Sequence, residues 1–313
     1  MKYLLIDFGA SRVKTTVYDK TLDSYKNSYE EKSPFLTSTN ISSTQLKIIL
    51  NNLINKSSRN CKIDGIVICT ILGGGYIEDI YYSWKEDTIK PKKGCLISGL
   101  FFNENTYHIH EHHDKKNGIK GLKVLGKINN IPLYSSMGDT NCVIESFNLN
   151  SNQTAILNLG TGSQFITNSN IISFIPSGRS INVFKNFFDS IGIDLFEQFS
   201  DLTLKDLNNS SLNFNLNLFP QSYKWDFNLK GCITNIDEFN FNIKNFISSL
   251  FKCYLDQYVK IINSYPKITT INLTGGISKK YLLINEYIRN NTSVIKINQR
   301  VGVTEDVFIG MSK

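Results

Sequence analysis

The first part of the chain carries apolar runs typical of strands. An apolar run at 3–6 leads into Asp7 and Gly9, and a second run rich in β-branched residues follows at 13–19. This order predicts a β-hairpin with polar groups at its tip. Strands are predicted at 3–7, 13–19, 23–30 and 65–70. A helix is predicted over 43–57, with Ser43 as its N-cap and one apolar stripe formed by Leu46, Ile49, Leu50, Leu53 and Ile54.

The strand and glycine-turn pattern recurs later in the chain. Residues 154–167 again read as a strand, a Gly/Thr/Ser turn and a second strand. A third apolar run at 271–274 ends in Gly275 and Gly276. The helical spacing that follows this run is formed by Leu282, Leu283, Tyr287 and Ile288. Two hairpins and one strand-to-helix turn, spread over the whole chain, indicate a duplicated nucleotide site between two lobes.

Because the opening hairpin pattern is repeated at residue 154, two domains are predicted, at 1–150 and 151–313. Residues 76–130 are less regular, and we expect a small subdomain that shapes a substrate pocket there. The Asn-rich stretch 208–217 reads as a loop. A long helix is predicted over 237–265, with a core stripe formed by Phe239, Ile243, Phe246, Leu250, Tyr254 and Tyr258.

Composition narrows the class of protein. The chain has 313 residues, of which 41% are hydrophobic, so it can bury cores for two domains. Its formal net charge of +7 comes mainly from scattered lysines, whereas nucleic-acid readers favour clustered arginines. We therefore expect no nucleic-acid partner, although positive charge can help to gather an anionic nucleotide. A homodimer is one expectation for the oligomeric state.

The cysteines and the apolar segments indicate a cytoplasmic protein. The six cysteines show no zinc-knuckle or redox spacing, and several lie in apolar runs, so buried reduced thiols are expected. The first apolar run is short and ends at Asp7, which predicts no targeting segment. No apolar stretch approaches the length of a spanning helix, so no membrane partner is expected.

The tip of the first hairpin has the chemistry of a phosphate site. Gly9 lets backbone N–H groups approach an anion, and Lys14 can offset phosphate charge. Asp7, at the end of the strand, is placed to hold magnesium through water. The same residues also suit an ordinary surface hairpin, and this segment alone does not decide between the two.

Two further segments produce a family resemblance. Residues 137–142 contain Gly138 and Asp139, and residues 303–311 form a closing helix-like segment with Gly310. With the three glycine turns, the order resembles the sugar kinase, hsp70 and actin superfamily, and within it the FGGY carbohydrate kinases. The resemblance implies an α/β fold of two ribonuclease H-like (actin-like ATPase) domains with a nucleotide cleft between them. It also implies ATP and Mg²⁺ as cofactors.

The resemblance assigns roles to residues of this chain. It implies that Asp139 is the general base, that Asp7 and Asp139 organise Mg²⁺, and that Asp139 also contacts the substrate. A position at a helix N-terminus is expected to keep Asp139 ionised, although an N-cap role is the competing interpretation. The implied nucleotide-binding residues are Gly9, Ala10, Ser11, Arg12 and Lys14 of the first turn, Gly160, Thr161, Gly162 and Ser163 of the second, and Gly275, Gly276 and Lys279 of the third. Lys14 has a competing interpretation as a solvated lysine.

The acceptor side departs from the family pattern. Residues 69–75 replace a Ser-Gly-Gln-x-His-Gly-like segment, with Gly74 as the substrate candidate there. Trp84 can stack on a sugar while Glu86 and Asp87 accept hydroxyl hydrogen bonds, or the three can form an anchored surface loop. All four histidines lie in 108–113, where metal binding, sugar or partner contact, and a surface strand stay open.

Three functions remain for comparison. The leading hypothesis is ATP-dependent phosphorylation of a hydroxyl group on a small carbohydrate, such as a ketose, heptulose or polyol. The alternative is a non-kinase actin-like ATPase that acts as a nucleotide-dependent switch or assembly protein. A kinase for an acyl or amino compound would share the ATP site and differ in its acceptor pocket.

Overall fold

The computed structural model describes residues 1–59, 61–70, 74–83, 96, 124–134, 138–147, 149, 151–219, 230–300 and 305–313. It divides into two compact units: Met1–Asn148 with Gly302–Lys313, and Leu149–Val301. Each unit contains a mixed sheet of parallel and antiparallel strands.

The first unit is built on a six-stranded sheet with the order β3-β2-β1-β5-β9-β8. Its strands are β1 Lys2–Phe8, β2 Arg12–Asp19, β3 Ser24–Lys32, β5 Gly65–Thr70, β8 Val124–Ile128 and β9 Ile131–Tyr134. A three-stranded sheet adds β4 Asn40–Ser42, β6 Gly75–Ile77 and β7 Ile80–Tyr82. The helices are a short 3-10 turn at Pro34–Leu36, α1 Ser43–Ser57, α2 Asp139–Phe147 and, near the end of the chain, α8 Asp306–Ser312.

The second unit contains a five-stranded sheet with the order β12-β11-β10-β15-β16. Its strands are β10 Thr154–Asn158, β11 Ser163–Ile166, β12 Ile171–Ile175, β15 Thr270–Thr274 and β16 Lys296–Gln299. A separate hairpin pairs β13 Asn213–Asn215 with β14 Cys232–Thr234. The helices are α3 Gly178–Ser190, α4 Leu195–Ser200, α5 Leu204–Asn208, α6 Ile243–Asn263 and α7 Leu283–Asn291.

The first large sheet, apart from its edge strand β8, has the same topology as the second. In each, three consecutive strands pair antiparallel, and the first of them also begins a parallel series with later strands. Neighbouring parallel strands must be joined by a crossover connection, which is usually a helix. The repeated arrangement confirms the predicted α/β fold class and the duplication that the glycine turns indicated.

Most of the predicted elements are present, but their ends differ in places. The N-cap of α1 is Ser42, whose side chain accepts a hydrogen bond from the Gln45 N–H; the prediction of Ser43 was wrong. Ser43 instead donates its hydroxyl hydrogen bond to the Asp79 carboxylate on the loop between β6 and β7. The contact with Asp79 thus gives Ser43 a different role from Ser42, although the two adjacent serines look equivalent in the sequence.

The long helix α6 is shorter than predicted at both ends. Its buried face includes Leu250, Tyr254 and Tyr258, which confirms that part of the stripe. Phe239 is 85% exposed and Ile243 is 54% exposed, so placing them in the core was wrong. A short loop closed by Asp237, whose carboxylate accepts from the N–H groups at 239 and 240, precedes the helix and takes the chain away from the helical stripe.

Two segments predicted as irregular contain regular structure. Within 76–130, strands β7 and β8 are formed, and β8 joins the edge of the large sheet in the first unit. The Asn-rich stretch contains the end of α5 and strand β13. The predicted subdomain at 84–95 and 97–123 lies outside the described residues.

The end of the chain groups with the first unit, whereas the sequence prediction ran the second domain to residue 313. The physical reason is burial: Phe308 and Met311 of α8 lie in one apolar cluster with Leu5, Val67 and Cys142.

None of the helices in the described part of the chain has the length and hydropathy that spanning a membrane requires.

Candidate active site

The first turn joins β1 to β2 and is closed by its backbone. The Gly9 N–H donates to the Arg12 carbonyl oxygen at 3.0 Å. A Cβ at Gly9 would lie 2.7 Å from that oxygen, so the turn requires glycine. Ala10 is nearly buried, and the Ser11 carbonyl accepts from the Ser33 N–H at 3.0 Å. These contacts hold the turn rigidly at the end of β1.

Parallel pairing brings two carboxylates together in the first unit. Asp7 is near the end of β1, which pairs in parallel with β5, and β5 pairs in parallel with β9. Asp139 begins α2, shortly after β9. Burial, followed by the charge of Asp139, raises the pKa of Asp7 to about 7, while Lys14 acts in the opposite direction. The charge of Asp139 therefore acts on Asp7, which indicates that the two carboxylates lie near each other.

The environment of Asp139 raises its pKa, whereas its position at a helix N-terminus predicted that it stays ionised. Its Oδ1 accepts hydrogen bonds from the Thr140 N–H at 2.7 Å and the Thr140 hydroxyl at 3.3 Å. These bonds lower the pKa of Asp139, as expected at a helix N-terminus, but burial outweighs them and the pKa is raised. The expectation that the helix end dominates was wrong, because it neglected the cost of removing the carboxylate from water.

Lys14 has a partner that the sequence did not reveal. It lies opposite Asp7 in the β1–β2 register, and its Nζ is 3.0 Å from Oε1 of Glu305, immediately before α8. Glu305 also raises the pKa of Asp7. Arg12 forms a separate ion pair with Glu30 on β3, at 3.4 Å, and half of its side chain is exposed. Lys14, rather than Arg12, is the cation placed beside the carboxylates.

Helix α8 packs directly against the helix that carries Asp139. A Cβ on Gly310 would lie only 1.8 Å from the Cys142 carbonyl oxygen, so only glycine fits this crossing. At the other end of α2, Lys313 Nζ donates to the carbonyl oxygens of Ser146 at 2.8 Å and Glu145 at 3.0 Å. Cationic groups near a helix C-terminus are favourable. The position of α2 is therefore fixed from both ends by the last residues of the chain.

The second turn, at 160–162, rests against the start of α3. The Gly178 N–H donates to the Gly160 carbonyl at 3.2 Å, and the Arg179 N–H donates to the Thr161 carbonyl at 2.9 Å. A Cβ on Gly178 would lie 2.8 Å from the same Gly160 oxygen. Residues 177–179 were not among the predicted site residues, although the Ser-Gly pair after β12 was the available signal.

The side chain of Ser163, predicted to bind the nucleotide, does not face the solvent. Its side chain is fully buried and hydrogen-bonds with Ser177 and Tyr258, so its hydroxyl faces the interior of the second unit. Thr161 and Gly162 are partly exposed, as an anion-binding turn requires.

The third turn lies next to the second. The parallel pairing of β10 with β15 sets Asn158 beside Thr274, and the Leu159 N–H donates to the Thr274 carbonyl at 2.8 Å. Gly275 has a φ of +98°, and a Cβ there would lie 2.4 Å from the Leu159 carbonyl oxygen. Gly276 is exposed with open space around it. Gly275 is thus required by the backbone, whereas Gly276 leaves room for a ligand.

Of the remaining predicted site residues, the structure describes Lys279 and Gly74 but not the other acceptor candidates. Lys279 is partly buried in the turn after Gly276. Gly74 packs against Tyr81, whose hydroxyl oxygen a Cβ would approach to 2.1 Å. Trp84, Glu86 and Asp87 lie outside the described residues, as do the histidines of 108–113. Among the residues that are described, no group of three or more His, Cys, Asp and Glu side chains is arranged to hold a metal.

Comparison with known proteins adds the fold family. No family model and no curated protein matches the sequence. Solved structures do match over almost the whole chain. A ligand-bound xylulose kinase from Lactobacillus acidophilus matches with a TM-score of 0.66 and 11% identity, covering 99% of this chain and 88% of that one. The chain has the fold of carbohydrate kinases.

Two further kinases give the same result. A Plasmodium falciparum glycerol kinase with ADP has a TM-score of 0.64 at 12% identity, and a gluconate kinase from Lactobacillus acidophilus has 0.62 at 13% identity. Each match covers 99% of this chain and 88% of the other. The predicted resemblance is confirmed at the level of the carbohydrate kinase fold, and sequence identity this low carries the fold alone.

Proposed function

We propose that this protein is an ATP-dependent kinase that phosphorylates a hydroxyl group of a small carbohydrate, such as a ketose, heptulose or polyol. The carbohydrate kinase fold supports the reaction class. The observation that carries the proposal is the pair of buried carboxylates, Asp7 near the end of β1 and Asp139 at the start of α2, of which the second acts on the charge of the first. Phosphoryl transfer needs such groups beside bound phosphates, to position the acceptor and balance charge.

Asp139 is the proposed general base. A carboxylate of ordinary pKa is a weak proton acceptor at neutral pH, and burial raises the pKa of Asp139 towards the range in which it accepts a proton effectively. The hydrogen bonds from Thr140 fix Oδ1 and so set the direction of the carboxylate. We propose that Asp139 orients the acceptor hydroxyl and takes its proton as the phosphoryl group arrives.

The carboxylate pair also fits a magnesium ion. Mg²⁺ is typically held by one or two protein carboxylates, with waters and substrate phosphates completing its shell. Asp7 and Asp139 supply that number of acidic groups, and Lys14 limits the local negative charge. When bound, Mg²⁺ neutralises charge on the phosphates of the donor.

The glycine turns are the proposed nucleotide contacts. Backbone N–H groups of the first turn, at 9–12, and of the second, at 160–162, suit phosphate oxygens, and Lys14 adds a positive charge. Gly275 and Gly276, with Lys279 beside them, suit the adenosine. For the acceptor, we propose contacts from Trp84, Glu86 and Asp87.

The proposal is tested by measuring ADP release from Mg-ATP with a panel of ketoses, heptuloses, polyols and sugar acids. We expect one acceptor class to stimulate ADP release well above the rate with ATP alone. If no acceptor stimulates release while ATP binding is intact, the kinase proposal is wrong. Nucleotide-dependent sedimentation without an acceptor would then favour a switch or assembly ATPase.

A further inference from the structure

A chain of buried hydroxyl groups runs from α6 to the second glycine turn. The Tyr258 hydroxyl is 2.9 Å from Ser163 Oγ, which is 2.5 Å from Ser177 Oγ. Ser177 Oγ is in turn 2.7 Å from the Gly160 carbonyl oxygen. All three side chains are almost completely buried. The three hydroxyl groups and the Gly160 carbonyl are therefore linked by hydrogen bonds without a solvent-exposed side chain between them.

The direction of the hydrogen bonds follows from its last member. The Gly160 carbonyl can only accept, so Ser177 must donate to it. Ser177 has then used its only proton, so Ser163 must donate to Ser177, and Tyr258 must donate to Ser163. Every hydroxyl therefore donates along one direction, an arrangement in which successive bonds strengthen one another.

The chain of buried hydroxyl groups fixes the orientation of the peptide that links Gly160 to Thr161. The Gly160 carbonyl accepts a second hydrogen bond, from the Gly178 N–H at 3.2 Å. In a planar trans peptide, the carbonyl and the N–H point in opposite directions. Because the Gly160 carbonyl is held towards the buried hydroxyls, the Thr161 N–H is held on the opposite side of the peptide, away from them.

We infer that Tyr258, Ser163 and Ser177 act as positioning residues, which hold the Gly160–Thr161 peptide in the orientation that binds nucleotide phosphate. The inference rests on the proposed function and deepens it, since it explains why the sequence places Ser163 in the turn motif although its side chain is buried. None of the three hydroxyls touches the nucleotide; they act through the backbone.

Tyr254 provides a matched control for Tyr258. It lies one helical turn earlier on α6, is equally buried, and its ring is 5.1 Å from that of Tyr258. Within the described part of the chain its hydroxyl makes no well-formed hydrogen bond, although it lies near enough to the hydroxyls of Tyr258, Ser163 and Ser177 to interact with them electrostatically. Replacing either tyrosine by phenylalanine removes one buried hydroxyl and leaves the aromatic packing unchanged, but only the Tyr258 replacement removes a well-formed hydrogen bond to Ser163.

The test compares the affinities of a nonhydrolysable ATP analogue and of AMP, by calorimetry with Mg²⁺, for the wild-type protein and for Tyr258→Phe, Ser177→Ala and Tyr254→Phe. Loss of one net hydrogen bond predicts roughly threefold to tenfold weaker binding of the ATP analogue to Tyr258→Phe. Ser177→Ala, which removes the direct bond to Gly160, is expected to bind it at least as weakly. AMP affinity, and both affinities of Tyr254→Phe, are expected to stay at the wild-type values.

Each other outcome decides against the inference. Unchanged binding of the ATP analogue by Tyr258→Phe, or an equal loss in Tyr254→Phe, overturns it even if Ser177→Ala fails to fold. Parallel losses for AMP and the ATP analogue would indicate a general distortion of the unit and also overturn it. If the wild-type protein binds no adenine nucleotide, the proposed function itself fails, which is a distinguishable result.

Discussion

The contact between α8 and α2 predicts an unusual response to an alanine substitution. In the interior of a helix, Gly→Ala is ordinarily stabilising by about 1 kcal/mol because alanine has the higher helix propensity. At Gly310, the added Cβ would lie 1.8 Å from the Cys142 carbonyl oxygen, whereas contacts under 3.0 Å are essentially never observed. The two helices must therefore separate by roughly the 1.2 Å difference between these distances. Overpacking of this kind typically costs about 1–3 kcal/mol, and full loss of the α8 contact would also expose Phe308 and Met311.

We expect Gly310→Ala to destabilise the protein by about 2 kcal/mol, which corresponds to a decrease in Tm of about 4–8 °C. The shift acts on α2 one turn after Asp139, and misplacement by about 1 Å can reduce kcat about 100-fold. Urea unfolding and acceptor-dependent ADP release measure the two effects. Gly276→Ala is the stability control, because nothing lies within 4 Å of its Cβ position. Equal or greater stability of Gly310→Ala would refute this account of the helix crossing.

Three further predictions concern the carboxylate pair and the turns. Because the folded protein raises the pKa of Asp7 from 3.8 to about 7, it binds this proton more tightly than the unfolded chain does, so metal-free stability should fall as pH rises through this window. Asp7→Asn should flatten that dependence in urea titrations at successive pH values, and an unchanged slope would contradict it. Gly275→Ala should cost about 1–3 kcal/mol in thermal unfolding because of its positive φ, whereas Gly276→Ala should cost little. Lys14→Met should weaken binding of the ATP analogue about tenfold or more, with wild-type-like affinity as the contrary result.

The elements predicted best were those with strong local patterns. The β1–β2 hairpin and the buried face of α1 were anticipated because apolar periodicity reports directly which side chains face a core. The glycine at position 275 was also identifiable, since a strand that ends in Gly-Gly indicates a backbone conformation that other residues avoid.

Partners far apart in the sequence were not predictable in the same way. Glu305 pairs with Lys14, and Gly310 packs on Cys142, although the whole second unit lies between these partners in the sequence. Such contacts are set by the arrangement of the strands and helices and leave no local pattern. The hydroxyl chain from Tyr258 is another example, because Ser163 and Ser177 look like ordinary turn serines until the fold joins them.

The errors in side-chain environment have a common physical cause. Phe239 continues the apolar spacing of α6, yet it lies before the helix begins and is exposed. Asp139 occupies the expected helix start, but burial decides its pKa. Periodicity and helix position describe local geometry, whereas exposure and desolvation depend on what the rest of the chain places nearby.

The central claim, that Asp139 is the base of an ATP-dependent carbohydrate kinase, is tested most directly with Asp139→Asn. Acceptor-dependent ADP release and affinity for the ATP analogue should be measured on the same preparations of both proteins. We predict that the variant binds the nucleotide normally but loses roughly 10²–10⁴-fold in turnover, the usual contribution of a positioned base. Turnover within a fewfold of wild type, with the acceptor still required, would contradict the role of Asp139.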